Sequence, residues 1–176
     1  MRRDFPGRAD SPEVLRGSSE ACGPLAVWQV LTHFGIASTP AGIVEHCRFA
    51  PDVGTYSVGL AVAMARYGLR ADLYSDHDSS PQLVERELYA EASRLGIVPK
   101  SAPGLRALLG RLDWDRVGIF LLQVDWAVGH GHFAPGLGAV GDRVIAPNEG
   151  DALTVHGLRQ AWEAPGIFRQ CVVAQR

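Results

Sequence analysis

Of the three cysteines, Cys22, Cys47 and Cys171, only Cys22 stands where a thiol gains reactivity. It is followed by Gly23 and Pro24, and Pro suits a first helical turn because its missing N–H would be unpaired there anyway. Unpaired backbone N–H groups and the positive end of the helix dipole favour an anion just before such a helix. A thiolate is such an anion, and helix N-termini lower cysteine pKa values. Gly23 lets another backbone come close. The same N–H groups begin an oxyanion site, so the chemistry this position supports is acyl transfer to sulfur. Cys47, beside Ile43 and Val44, falls on the apolar side of a helix, and Cys171 lies in an apolar strand. Both read as core, since buried free cysteine behaves as a small hydrophobe.

A nucleophilic thiol needs a base and a group to orient it. Among the histidines, His33 and His46 fall in helices and read as packing or surface residues, His77 lies in the polar turn Ser75-Asp76-His77-Asp78, and His156 caps a late helix. The pair in Gly129-His130-Gly131-His132 is different. It stands at the mouth of a strand, flanked by glycines that permit close approach. His132 is the expected base. His130 is expected at the rim of the site, in contact with substrate, and takes the part of His132 if the register slips. Trp126 on the same loop reads equally as a cleft wall or a cap on the core. Asn148 follows the Gly141-Asp142 turn and the next strand. Two adjacent antiparallel strands can bring it beside His132.

A His-x-His pair on a strand can also ligate zinc, with Cys22 as a third ligand. No fourth ligand with suitable spacing appears, and the nearest acids, Asp125 and Glu149, read equally as solvated. No metal and no cofactor are expected.

The elements that must hold these residues come in two groups. Apolar residues at helical spacing predict helices from about Pro24 to Gly35, from Thr39-Pro40 to about Cys47, and from Ser57 to Gly68. Leu69 to Tyr74 alternates and reads as a strand. A charged amphipathic helix opens at Ser80-Pro81 and closes at Gly96, and a short one spans Leu105 to Leu109. Beyond it the period changes to 2 or to continuous apolar runs. Strands are expected at Val117–Val124, His132–Val140, Arg143–Ala146 and Ile167–Val173, with one helix near His156–Trp162. Helices first and strands last argue an α+β fold with an antiparallel sheet.

The 176 residues suit one domain, and 47% apolar with 20% charged residues is ordinary globular composition. A formal net charge of −2 shows no basic surplus for nucleic acid or an anionic membrane. No run approaches the ~18 apolar residues of a membrane span, and the N-terminus lacks a secretory apolar stretch. Three cysteines cannot all pair, which argues a reducing, cytoplasmic setting.

The stretch Glu20-Ala21-Cys22-Gly23-Pro24-Leu25-Ala26 resembles the nucleophile segment of the bacteriocin-processing (double-glycine-leader) cysteine peptidases, of the papain-like superfamily. Gly54-Thr55-Tyr56-Ser57-Val58-Gly59-Leu60 and Arg66-Tyr67-Gly68-Leu69-Arg70-Ala71 are similar to that family's later helices leading into a strand. His132-Phe133 through Gly138, then Gly141-Asp142-Arg143-Val144-Ile145, resembles its histidine strand and turn. Asn148 falls where the family carries its third catalytic residue, usually Asp, a job that Asn does in papain. The resemblance covers roughly residues 15 to 173.

It implies a papain-like fold, with N-terminal helices on a C-terminal antiparallel sheet. A loose tail, residues 1–14, would precede a single domain, residues 15–176, with a helical insert at about 81–96. It also implies a peptidase with the triad Cys22, His132 and Asn148, a thioester acyl-enzyme, and a peptide or protein substrate. Two positions depart from the pattern. The family's oxyanion Gln, six residues before the cysteine, is replaced by Arg16, whose N–H donors differ from an amide in geometry and reach. The second is Pro135 inside the histidine strand, which implies an edge or a bulge. A binding module that keeps the fold and an acyltransferase are the rival readings. The sequence carries no signal of oligomeric state.

Overall fold

The computed structural model describes residues 5–17, 19–76, 78–123, 131–146 and 153–176. A 3-10 turn at Arg8–Asp10 and the short helix α1 (Glu13–Arg16) open the chain, and a second 3-10 turn, Ser19–Ala21, runs straight into α2 (Cys22–His33). Then come α3 (Pro40–Cys47), α4 (Ser57–Arg66), β1 (Arg70–Ser75), α5 (Leu83–Arg94), α6 (Leu105–Leu109), β2 (Arg116–Gln123) and β3 (Gly131–Gly136). The chain ends with β4 (Ala139–Val140), β5 (Arg143–Val144), α7 (Val155–Trp162) and β6 (Gln170–Gln175). The local signals act as expected at several ends. The Thr39 hydroxyl accepts the Gly42 N–H at 3.1 Å ahead of Pro40, capping α3. Gly68, at φ +84°, reverses the chain between α4 and β1.

The main sheet is antiparallel, in the order β1-β6-β2-β3. Alternation along its strands sends successive side chains to opposite faces. Val117 and Ile119 of β2, with Val172 and Ala174 of β6, join a core built with α2, α3 and α4. Phe120 and Leu122, with Cys171 and Val173, join a second core around α6 and α7 that includes Leu108 and Trp162. Helices therefore cover both faces of the sheet. The late helix α7 is amphipathic, and Val155, Leu158 and Trp162 have the opposite face of the sheet as their place to bury.

Other differences have local causes. The stretch read as a loose tail is tied down from Phe5 onward. Phe5 packs against the helical core, Gln29 Nε2 donates to the Pro6 carbonyl at 2.8 Å, and Ser11 is buried. The strand read as His132–Val140 breaks at Leu137-Gly138, where Gly138 takes φ +112° and a Cβ would stand 3.0 Å from the Leu112 carbonyl oxygen. Val140 and Ala139 instead form a hairpin with Arg143 and Val144. The last strand starts at Gln170 rather than Ile167. The charged helix α5 packs into the domain: Leu88 and Ala92 sit in the first core, and Arg48 and Arg66 both pair with the buried Glu91. Pro135 lies on β3, which pairs with β2 at the sheet edge, the place where a strand tolerates a missing N–H.

Candidate active site

Cys22 is the first residue of α2, one step deeper than the position before the helix that the Pro24 signal suggests. The preceding 3-10 turn carries the chain into the helix without an extended cap, so Cys22 already has a helical neighbour on both sides. Its own N–H and that of Gly23 belong to the first turn, where no intrahelical acceptor exists. Gly23 is required by packing: a Cβ there would lie 3.0 Å from Thr55 Cβ and 3.1 Å from Leu60 Cδ2.

Packing of α2 against β3 brings the half-buried Cys22 to His132 near the start of that strand. Leu122 is the cross-strand partner of His132, which fixes its register. Burial acts to raise the Cys22 thiol pKa. A hydrogen bond with the His132 side chain, the backbone N–H of Phe133, the charge of His132 and the backbone N–H of Gly23 overcome it, and the net pKa lies below that of an ordinary thiol. Cys47 and Cys171 are fully buried, and burial pushes both thiols far up. Burial thus raises two of the three thiols, while His132 and two backbone N–H groups lower the third.

Cys22 opens into a groove of about 520 Å³. One wall comes from Gly54, Thr55 and Tyr56 ahead of α4, another from Leu121 and Phe133 of the sheet and from Ile167 and Phe168 before β6. Its polar lining includes Asp78, Ser80, Gln82 and Glu85. Sequence reasoning assigned none of these residues a role. Only Phe133 carried a signal, as the immediate neighbour of the expected base, and its N–H turns out to serve the thiolate.

No known protein family and no curated protein matches this chain. A solved structure does: the crystal structure of a double glycine motif protease from an AMS/PCAT transporter in complex with the leader peptide. The two superpose with a TM-score of 0.57 at 16% sequence identity, over 97% of this chain and 95% of that one. The chain therefore has the fold of a double-glycine peptidase, with mixed helices and antiparallel sheet.

The remaining expected site residues divide three ways. His130, Trp126 and Asn148 lie outside the described residues, as do His77, Asp125 and Glu149. Arg16 is described and is turned away: it ends α1, is exposed, and its guanidinium donates to the Ala9 carbonyl at 3.3 Å rather than lining the groove. The other described histidines serve elsewhere. His33 is buried among Phe5, Phe34 and Trp114 and bonds the Trp114 carbonyl at 2.6 Å, while His46 contacts Arg66 and Tyr67. Among the described residues no group of three His, Cys, Asp or Glu is placed to hold a metal ion, and no helix is long and apolar enough to cross a membrane.

Proposed function

We propose that the chain is a cysteine peptidase that cleaves a peptide or protein substrate through a Cys22 thioester. The observation that carries this reading is the Cys22–His132 hydrogen bond at the head of α2, with the thiol held below its ordinary pKa, opening into a groove. In the proposed reaction the Cys22 sulfur attacks the scissile carbonyl carbon, and the C–N bond breaks. The His132 imidazolium gives its proton to the leaving amine. Water, deprotonated by His132, then attacks the thioester and releases the acid. The Cys22 backbone N–H would face the oxyanion, and Asn148 would hold the imidazole in the useful tautomer. His130 and Trp126 are proposed as rim contacts. The solved neighbour is a double glycine motif protease bound to a leader peptide, which supports a substrate cut after small residues.

The test is cleavage of a synthetic peptide with a central Gly-Gly, followed by mass spectrometry, with Cys22→Ala and His132→Ala as controls. A cut after Gly-Gly in the native protein alone is the expected result. No cut, with Cys22 still selectively alkylated, would favour the second reading, a peptide-binding module on the same fold. The outward turn of Arg16 supports that alternative, because loss of one oxyanion donor costs roughly a hundred- to a thousandfold in rate. A product carrying an added amine in place of water would favour an acyltransferase.

A further inference from the structure

Helix α5 carries two equally buried glutamates with opposite surroundings. Glu91, 7% exposed, is neutralised by Arg48 and Arg66. Glu85, 6% exposed, lines the groove and has no cationic partner among the described residues; its carboxylate accepts the backbone N–H of Gln82. Asp78, which accepts the Ser80 N–H at 2.7 Å, acts on it as a like charge in the same groove. Among the described lining residues there is no Lys or Arg.

A buried carboxylate left unneutralised beside another is costly to hold, and a cation entering the groove would relieve both. The same groove is also lined by Val53, Tyr56 and Phe168, with Val53 and Phe168 exposed. Long basic side chains lay their methylene stems along such surfaces while the charged head reaches a polar end. A carboxylate pair in a groove that also has apolar lining suits such a side chain.

We propose, on the reading of this groove as the substrate site, that it selects a peptide carrying a lysine or arginine away from the scissile bond. Glu85 and Asp78 receive the cation, and Val53, Tyr56 and Phe168 receive the stem. The residues act on specificity and touch no reacting atom.

The test uses the Cys22→Ala protein, which binds without turnover, and fluorescein-labelled Gly-Gly peptides. One residue is stepped through each position around the Gly-Gly and made Lys, norleucine or Glu. Fluorescence anisotropy reads the affinities. At one register the Lys peptide should bind at least about fivefold more tightly than its Glu counterpart, and the ratio should shrink as salt rises. Added Glu85→Gln and Asp78→Asn should abolish the ratio. Asp78→Asn alone, at a half-buried position, should reduce it and guards against a double variant that fails to fold. Equal affinities at every register, absence of binding by all peptides, or a preference untouched by both substitutions would overturn the proposal. Cleavage by the native protein is scored separately. Charge-selective binding without cleavage would leave this inference standing and sink the peptidase reading, and cleavage indifferent to charge would do the reverse.

Discussion

Replacing His132 with alanine would remove from Cys22 a side-chain hydrogen bond and a neighbouring positive charge, leaving burial opposed only by the N–H groups of Phe133 and Gly23. Burial disfavours the thiolate, so the Cys22 pKa must move up. Below its pKa a thiol loses about tenfold of its thiolate for each unit of rise. Each remaining thiolate becomes more nucleophilic, with a Brønsted coefficient of about 0.4–0.5, which returns part of that loss. The net effect is a fall of roughly three- to fourfold in exchange rate per unit at neutral pH. The assay is reaction of the folded protein with dithiodipyridine across a pH series, with the modified cysteine identified by peptide mapping. The native profile should reach half its plateau below the pH of an ordinary thiol. The His132→Ala profile should move to higher pH and reach an equal or higher plateau. His132→Gln, which keeps a hydrogen bond without the charge, should fall between them. A midpoint unchanged in His132→Ala would refute the reasoning, because the thiolate would then owe nothing to His132.

Other consequences follow from the same structure. Only Cys22 should react with iodoacetamide in the folded protein at neutral pH, with Cys47 and Cys171 reacting after denaturation; mass spectrometry of tryptic peptides decides this, and early labelling of either buried thiol would contradict their burial. Burial, then the charge of Asp78, raises the folded-state pKa of Glu85, so its stabilising share is present below the ordinary carboxylate range and lost as pH rises through the folded value. Glu85→Gln should therefore hold or raise the Tm at neutral pH, with the advantage vanishing in acid; a clear drop at neutral pH would argue against it. Asp76 has the opposite sign: hydrogen bonds from Arg169 hold its pKa down against burial, with the side-chain bonds at 2.9 Å. Its contribution is present above the ordinary carboxylate range and lost as pH falls through the lowered folded value, so Asp76→Asn should lower the Tm at neutral pH and matter less in strong acid. Gly59→Ala would place a Cβ 2.6 Å from the Cys47 carbonyl oxygen, forcing α3 and α4 apart at a cost of about 1–3 kcal/mol, measurable by denaturant unfolding.

Much of the local structure is written in short-range signals. Thr39-Pro40, Gly68 and the apolar spacing of Leu105 to Leu109 each mark an element end or span that the fold keeps, because capping and helical burial act over a few residues. Cys22 stands out for the same reason, since a helix start and its unpaired N–H groups are local facts. Pro135 correctly announced a sheet edge, because a missing N–H has the same consequence in any strand. Arg16 shows the limit. Its distance in sequence from Cys22 says how far it could reach, but the direction of its side chain is set by α1 folding back onto Ala9.

By itself the sequence determined which thiol could be a nucleophile, which histidine strand could serve it, and an α+β chain. Tertiary structure alone decided that α2 packs on β3 so that Cys22 meets His132, that α6 and α7 close the second face of the sheet, and that Glu85 faces a groove while Glu91 faces two arginines. The physical reason is range. Propensity, capping and periodicity act between neighbours along the chain. A thiol pKa and the charge of a groove are sums over groups that only folding brings together.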